Sequence, residues 1–379
     1  MNVKFVDLPK QYERLFESDR FKNGFMNVVK NCGFVGGRHL ENFERSFANL
    51  CGVDHTVGVG SGTDALWLAL KALDIGPGDE VIVPAYTFVA TAFAVTLCGA
   101  DVKFVDVDPV TYVLTPEILK GAITPHTKAV IPVHLYGQPC DMEGIMEVAD
   151  NFGLKVVEDC AQAVCATING KHVGTFGQAG CFSFYPAKNL GGMGQGGAVI
   201  TNDVNIARFV REMSNCGRKE GSWFEHIHIG LNSRLDSVNA FFMNCIIEEN
   251  LITEWTHKRI NAAWKYHSFL SELKEIVQLP PMPTNEIVGV FHLFEIKLSD
   301  KETRNGLKEY LEEHGIGAVV HYPLPCHKQP VYRNTTFDGS LVVSEHLADT
   351  LLSLPMHPSI TLKEVESVCN AITDYLTIL

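Results

Sequence analysis

The sequence contains no run approaching the roughly 18 uninterrupted apolar residues of a membrane-spanning helix. Its opening stretch, MNVKFVDLPKQYERLFESDRF, interleaves charges and lacks the apolar segment of a secretory signal. Basic side chains are in the minority, with 31 Lys and Arg against 44 Asp and Glu, for a formal net charge of -13. That balance opposes nonspecific attraction to nucleic acid or to an anionic membrane. The 11 cysteines, among them Cys32, Cys51, Cys98, Cys140, Cys160, Cys165, Cys181 and Cys216, are scattered, with no CxxC pair and no compact disulfide framework. A membrane protein, a nucleic-acid binder and a disulfide-stapled secreted domain are thereby set aside, and a cytoplasmic location is expected. Internal repeats and low-complexity segments are absent too, which argues against a solenoid or a tail-driven interaction protein.

What is present is an ordinary globular composition, 46% apolar and 20% charged over 379 residues, long enough for two domains. Short runs rich in β-branched residues at 80–83, 102–105, 128–132, 154–158, 180–184 and 197–201 alternate with helical patterns at 62–73, 88–97 and 141–152. Strands alternating with helices predict a mostly parallel sheet covered on both faces. From about 236 a helical period persists for some forty residues, with a kink expected near Thr253. Beyond the prolines at 280–283, the segments 288–298, 301–313, 317–322 and 361–376 read as strand, helix, strand and helix.

Three segments carry residues that chemistry could use. In GCFSFYPAKN (180–189) an apolar strand runs straight into Pro186 and Lys188, set among small and glycine-rich neighbours. Schiff-base formation needs a neutral amine held at one spot, and partial desolvation lowers a lysine's pKa; a solvated loop lysine is the plain alternative. In KVVEDCAQ (155–162) a strand ends in Glu158 and Asp159. Ligands of open α/β sheets sit outside the carboxyl ends of the strands. A pyridinium nitrogen needs a carboxylate there to stay protonated, although a carboxylate that merely caps a turn would look the same. In GVGSGTDAL (58–66) a small-residue turn opens a helix near Thr63. Helix-terminal amides with hydroxyl donors make a phosphate cradle that needs no basic residue, and a plain β-to-α turn shares that composition.

Two further motifs are set aside. GMGQGG (192–197) satisfies GxGxxG, yet its glycines precede a strand instead of following one and opening a helix. His226 and His228, two residues apart without a Cys or Glu quorum, read as loop residues, and no metal site is expected.

In order and spacing, GSGTDAL, VPAYTFVATA, EDCAQA, FSFYPAKN followed by GGAVITND, and GLNSRLDSVNA resemble the sugar aminotransferases of the DegT/DnrJ/EryC1/StrS family. The similarity runs from about Gly36 to LSLPMHP at 352–358. It implies the α/β fold-type I architecture of pyridoxal 5′-phosphate (PLP) enzymes. The large, mostly parallel domain with its N-terminal helices would span 1–250, and a small C-terminal α+β domain 251–379. A homodimer with shared active sites is also implied. Carried over by position, Lys188 would form the Schiff base and shuttle the proton, Asp159 would pair with the pyridine nitrogen, and Gln162 would approach the phenolic oxygen. Gly62, Thr63 and Ser183 would hold the phosphate, with Asn232 reaching it across the dimer. Phe88 would stack on the cofactor ring, and Tyr322 and His327, in HYPLPCHKQP, would bind substrate. The implied reaction passes the amino group of L-glutamate to a nucleotide-linked keto sugar, giving an amino sugar and 2-oxoglutarate. The GTDAL variant resembles enzymes that aminate C3, and the acceptor favoured here is a dTDP-3-keto-6-deoxyhexose. The alternatives are a 4-keto sugar, a UDP-linked 3-keto sugar, a keto sugar without nucleotide, a PLP-dependent sugar dehydratase, whose relatives carry histidine where Lys188 stands, and a nonenzymatic regulator.

Overall fold

Apolar runs bounded by turns form the strands of the computed structural model, which describes residues 2–335 and 340–378. In chain order they are β1 (His55–Val59), β2 (Glu80–Pro84), β3 (Asp101–Val105), β4 (Thr127–Val130), β5 (Lys155–Asp159), β6 (Thr167–Ile168), β7 (Lys171–His172), β8 (Ala179–Ser183), β9 (Gly197–Thr201), β10 (Ile287–Val288), β11 (Phe294–Lys297) and β12 (Leu351–Leu354). Seven build the central sheet in the order β1-β9-β8-β5-β4-β2-β3. Strand β9 is antiparallel to both neighbours and all other pairings are parallel, so six strands run one way and β9 opposes them. The expected mostly parallel sheet is borne out; six of its seven strands fall within two residues of the predicted runs, and β1 lies outside them.

The runs are continuous because both faces are buried. Ile82, Val130, Val156, Phe182 and Ile200 point into one apolar cluster, while Val81, Ala129, Val157, Cys181 and Val199 point into another on the opposite face. This is the period-two alternation of a strand, with neither face left to water. Helices Gly62–Ala72, Ala90–Leu97 and Val204–Ser214 cover the second face; Arg38–Cys51, Met142–Phe152 and Ser237–Glu248 contribute to the first. No helix among the described residues is long and apolar enough to cross a membrane.

Two expectations need correction. The long helical pattern is two helices, Ser237–Glu248 and Leu251–Leu270, separated by Asn250 in the left-handed conformation at φ 55. Such a residue cannot continue a right-handed helix, so the break lies three residues before Thr253. Segment 317–322 forms no strand; only Val319 bridges Ser353. The partner of β11 is β12, in antiparallel register with Phe294 opposite Leu354 and Lys297 opposite Leu351. Because β12 follows helix Val342–Thr350 with no intervening turn residue, no local signal marks it. A third apolar cluster gathers Ala263, Tyr266, Phe294, Leu307, Val368 and Ile372 with Val3 from the chain start, whose backbone bonds to Gly315 and Gly317.

Alternation along β5 sends its two terminal carboxylates to opposite sides. Glu158 turns into the core, where Oε1 accepts from the amides of Phe176 (2.7 Å) and Gly177 (2.8 Å) and Oε2 from that of Gly174 (2.6 Å). His134 Nε2 donates to the same oxygen at 3.1 Å, its tautomer set by Nδ1 accepting from the Cys140 amide. This carboxylate is structural. Glu158→Ala would strand three amides and an imidazole in the core, so it should lower unfolding free energy by about 3 kcal/mol or more in chemical denaturation. An unchanged midpoint would contradict that role.

Candidate active site

The parallel strands end on one side of the sheet, and the residues that follow them surround a single cavity of about 500 Å³. Ser61, Gly62 and Thr63 come after β1, Thr87 and Phe88 after β2, and Val133 and Leu135 after β4. Asp159 closes β5 and is followed by Ala161 and Gln162, Ser183 closes β8, and Lys188 stands five residues further on. His292, His321 and Tyr322 complete the wall. Ligands of open α/β sheets occupy this edge, and the volume suits a coenzyme-sized molecule. A surface groove of similar volume between 174–178 and 201–206 assembles no comparable set of ionisable groups, so the chemistry lies at the sheet edge.

Asp159 is buried, with Oδ2 accepting from Thr91 Oγ1 at 2.8 Å and Oδ1 from the Ala161 amide at 3.1 Å. Loss of water raises its carboxyl above the ordinary value, against the pull of those donors and of Lys188. The backbone amide of Lys188 donates to the Tyr185 carbonyl at 2.8 Å, while its side-chain amine makes no hydrogen bond among the described residues. Burial lowers its ammonium to about 8, and the Asp159 carboxylate opposes the shift. Each group is thus pushed towards its neutral form and held back by the other's charge.

The helix Gly62–Ala72 starts at the cavity. Ser61 caps it by accepting from the Asp64 amide at 3.1 Å, and the amides of Gly62 and Thr63 meet no acceptor among the described residues. Gly62 is required by space, since a Cβ there would sit 2.8 Å from the Ser183 Cβ. Ser183 Oγ accepts only a long bond, 3.4 Å, from the Tyr185 amide, which leaves its hydroxyl proton for a ligand. Two unpaired amides at a helix start with a hydroxyl beside them form an anion cradle. Phe88 is 55% exposed on the cavity wall, tilted against Tyr322 at 5.8 Å. Gln162 is fixed from both ends, Oε1 accepting from the Tyr136 amide at 2.5 Å and Nε2 donating to the Tyr322 hydroxyl at 3.1 Å.

Eight of the residues singled out in the sequence therefore line one cavity: Gly62, Thr63, Phe88, Asp159, Gln162, Ser183, Lys188 and Tyr322. Asn232 does not; it is exposed, with Oδ1 accepting from Arg234 at 2.8 Å. Nor does His327, which is buried beside Phe104 and bonded through Nε2 to Glu345 at 3.1 Å. Sequence reasoning passed over Thr91, His292 and His321. Thr91 carried a signal, a hydroxyl four residues after Thr87 in an otherwise apolar helix start. His292 carried none, because its place beside Asn189 and near Lys188 arises from contacts a hundred residues apart.

A poised amine, a buried acid and an anion cradle in one cavity suit a ligand that carries a carbonyl, a basic ring nitrogen and a phosphate. Residues 17–373 match the model of the DegT/DnrJ/EryC1/StrS aminotransferase family. The UDP-N-acetyl-3-dehydro-alpha-D-glucosamine 3-aminotransferase of Acidithiobacillus ferrooxidans is 43% identical over 98% of this chain and 97% of its own. The dTDP-3-amino-3,4,6-trideoxy-alpha-D-glucose transaminase of Streptomyces venezuelae is 39% identical over 98% and 96%. The crystal structure of NtdA from Bacillus subtilis with bound cofactor PMP superposes with a TM-score of 0.89 at 30% identity, over 99% of this chain and 85% of that one. The chain belongs to the DegT/DnrJ/EryC1/StrS aminotransferase family, and it is a PLP-dependent aminotransferase.

Proposed function

We propose that this enzyme transfers the amino group of L-glutamate to a nucleotide-linked 3-keto sugar, as a homodimer with shared active sites. The observation that carries the reading is Lys188, an amine lowered to about 8 in the cavity that also holds the buried Asp159 carboxylate. The two relatives described above are named for nitrogen at C3 of sugars carried by UDP or dTDP, which supports the C3 position. Within that class we take a dTDP-linked 6-deoxy sugar as the favoured acceptor, with a UDP-linked N-acetyl sugar as its competitor.

When bound, PLP supplies the carbonyl that takes up the amino group and the ring that delocalises the electrons left as a proton departs. Asp159 would keep the ring nitrogen protonated, and the positive charge gained there would offset the cost of burying the carboxylate. The amides of Gly62 and Thr63 and the Ser183 hydroxyl would hold the phosphate, Phe88 would offer an aromatic face to the ring, and Gln162 Nε2 would keep a second proton for the phenolic oxygen. Lys188 would hold the coenzyme through its carbonyl and, once displaced by the incoming amine, would carry the proton between the substrate carbon and the coenzyme's carbonyl carbon. With an ammonium near 8, about one amine in ten is neutral at pH 7, against fewer than about one in a thousand for an ordinary lysine. Tyr322, tied to Gln162, borders the space left for the sugar.

The dimer is supported by an apolar patch on the segment 215–232, where Trp223, Phe224 (92%) and Ile229 (99%) stand in water in the isolated chain. Asn232 closes this segment through its bridge to Asn215. In this reading it serves the partner's phosphate site.

Three outcomes are expected. Purified enzyme should show a visible coenzyme band that L-glutamate abolishes and a 3-keto nucleotide sugar restores. Restoration by a 4-keto sugar alone would overturn the C3 assignment, and no visible band in coenzyme-loaded protein would overturn attachment at Lys188. In coenzyme-free enzyme, amine modification at Lys188 should reach half its maximal rate near pH 8; a midpoint near 10.5 would show an ordinary exposed lysine. Mixing Lys188→Ala with Asn232→Ala chains should restore about a quarter of wild-type activity, since statistical two-fold dimers rebuild one intact site in half the molecules. No gain over either parent would count against sharing.

A further inference from the structure

Behind the cavity lies a buried chain of groups that the proposed reaction does not employ. His321 lines the cavity, and its Nδ1 lies 2.7 Å from Ser353 Oγ. The Ser353 hydroxyl in turn meets Glu295 Oε1. Glu295 and Ser353 are directly opposite partners in the β11–β12 register and are 1% and 0% exposed. The rest of His321 is fixed as well. Its carbonyl accepts from the hydroxyls of Tyr86 (2.8 Å) and Tyr136, and its ring stacks on Phe5 at 5.7 Å. Ring position is settled by these contacts, and what the network still decides is where the ring carries its proton.

A serine hydroxyl has one proton, so the chain has two self-consistent directions. An ionised Glu295 would accept from Ser353, which would accept from His321 Nδ1–H, leaving Nε2 a bare lone pair. A Glu295 protonated at Oε1, the carboxyl oxygen that has a partner, would donate to Ser353, which would donate to Nδ1, leaving Nε2–H. The surroundings select the second. Glu295 Oε2 is buried without a hydrogen-bond partner, and no Lys or Arg pairs with this carboxyl among the described residues. The groups around it are the phenols of Tyr86, Tyr112, Tyr136 and Tyr322, which carry no positive charge to stabilise an anion. An unpaired buried carboxylate is costly, and taking up a proton removes the cost. Burial accordingly pushes Glu295 up to about 8 and His321 down to about 4, which leaves both neutral at pH 7. Lys188 adds to the downward push on His321, since two cations would otherwise share the cavity.

Building on the sugar-acceptor reading, we infer that Glu295 and Ser353 are positioning residues that hold His321 as its neutral Nε2–H tautomer, offering the cavity a fixed hydrogen-bond donor for an oxygen of the sugar. Its partner chemistry is an acceptor oxygen, a hydroxyl or carbonyl, and not a carboxylate seeking a full positive charge. Ser353 acts through the ring and does not touch the substrate.

The test is a nitrogen–proton NMR spectrum of the PLP-loaded enzyme labelled with ¹⁵N-histidine at pH 7, with His321→Gln identifying the resonances. Wild type should show His321 protonated at Nε2 and bare at Nδ1. Ser353→Ala should lose that preference and populate both tautomers. Glu295→Gln, whose amide can still donate to Ser353, should keep it. An imidazolium or an Nδ1–H tautomer in wild type would overturn the inference, as would an unchanged His321 signal in Ser353→Ala. The readout is separate from the acceptor assignment: a wrong sugar leaves these spectra as they are, and a wrong tautomer leaves the glutamate-driven loss of the visible band intact.

Discussion

Asp159 keeps its carboxylate out of water at the end of β5, where a threonine hydroxyl and one amide are its hydrogen-bond donors. Burial on these terms raises the carboxyl, and a positive charge brought within reach reverses the effect. The sheet supplies the rigid edge, with β5 between β4 and β8, so neither the carboxylate nor its donors can relax towards solvent. Thr91 reaches it from the first turn of helix Ala90–Leu97, and that helix is in turn packed on the face formed by Val81, Val83 and Val157. Rigid packing of this kind is what allows one carboxylate to be kept both dry and in place.

The same burial acts in the opposite sense on Lys188. Desolvation favours neutral acid and neutral amine alike, and each charge partly restores the other. Neutral amine is the form that attacks a carbonyl, whereas ionised Asp159 is the form that stabilises a pyridinium. In the proposed reading, a ring cation bound there would give Asp159 its counter-charge, and Lys188 would be held through a covalent bond to the coenzyme. A phosphate bound beside Gly62 would need no basic side chain, because the unpaired helix amides there lie against Ser183. This local arrangement reconciles a formal net charge of -13 with binding of an anionic cofactor.

The sheet was legible in the sequence because strands buried on both faces are continuous apolar runs, and the residues that end them, Asp159 and Ser183, are adjacent to those runs. Lys188 was legible as an unusual lysine directly after a strand. Its Schiff-base assignment came from the ordered set of motifs, since a loop lysine has the same local composition. Less was visible where long-range register decides the outcome. Strand β12 has no turn before it, the left-handed break at Asn250 interrupts a regular helical period, and the pairing of Glu295 with Ser353 exists only once β11 and β12 align. His327 and Asn232 mark a similar limit. Their positions in the motif say nothing of whether the side chain faces the cavity, and within one chain the first is buried beside Phe104 and the second is exposed.

The account depends most on Asp159 acting as the partner of a protonated ring nitrogen, and that can be observed at the nitrogen itself. Enzyme loaded with ring-¹⁵N pyridoxal phosphate should give the shift of a protonated pyridine nitrogen in wild type and of an unprotonated one in Asp159→Asn, with the coenzyme still bound in both. A ring nitrogen that is unprotonated in the wild type, or one that stays protonated in the variant, would contradict the role assigned to the buried carboxylate and the chemistry built upon it.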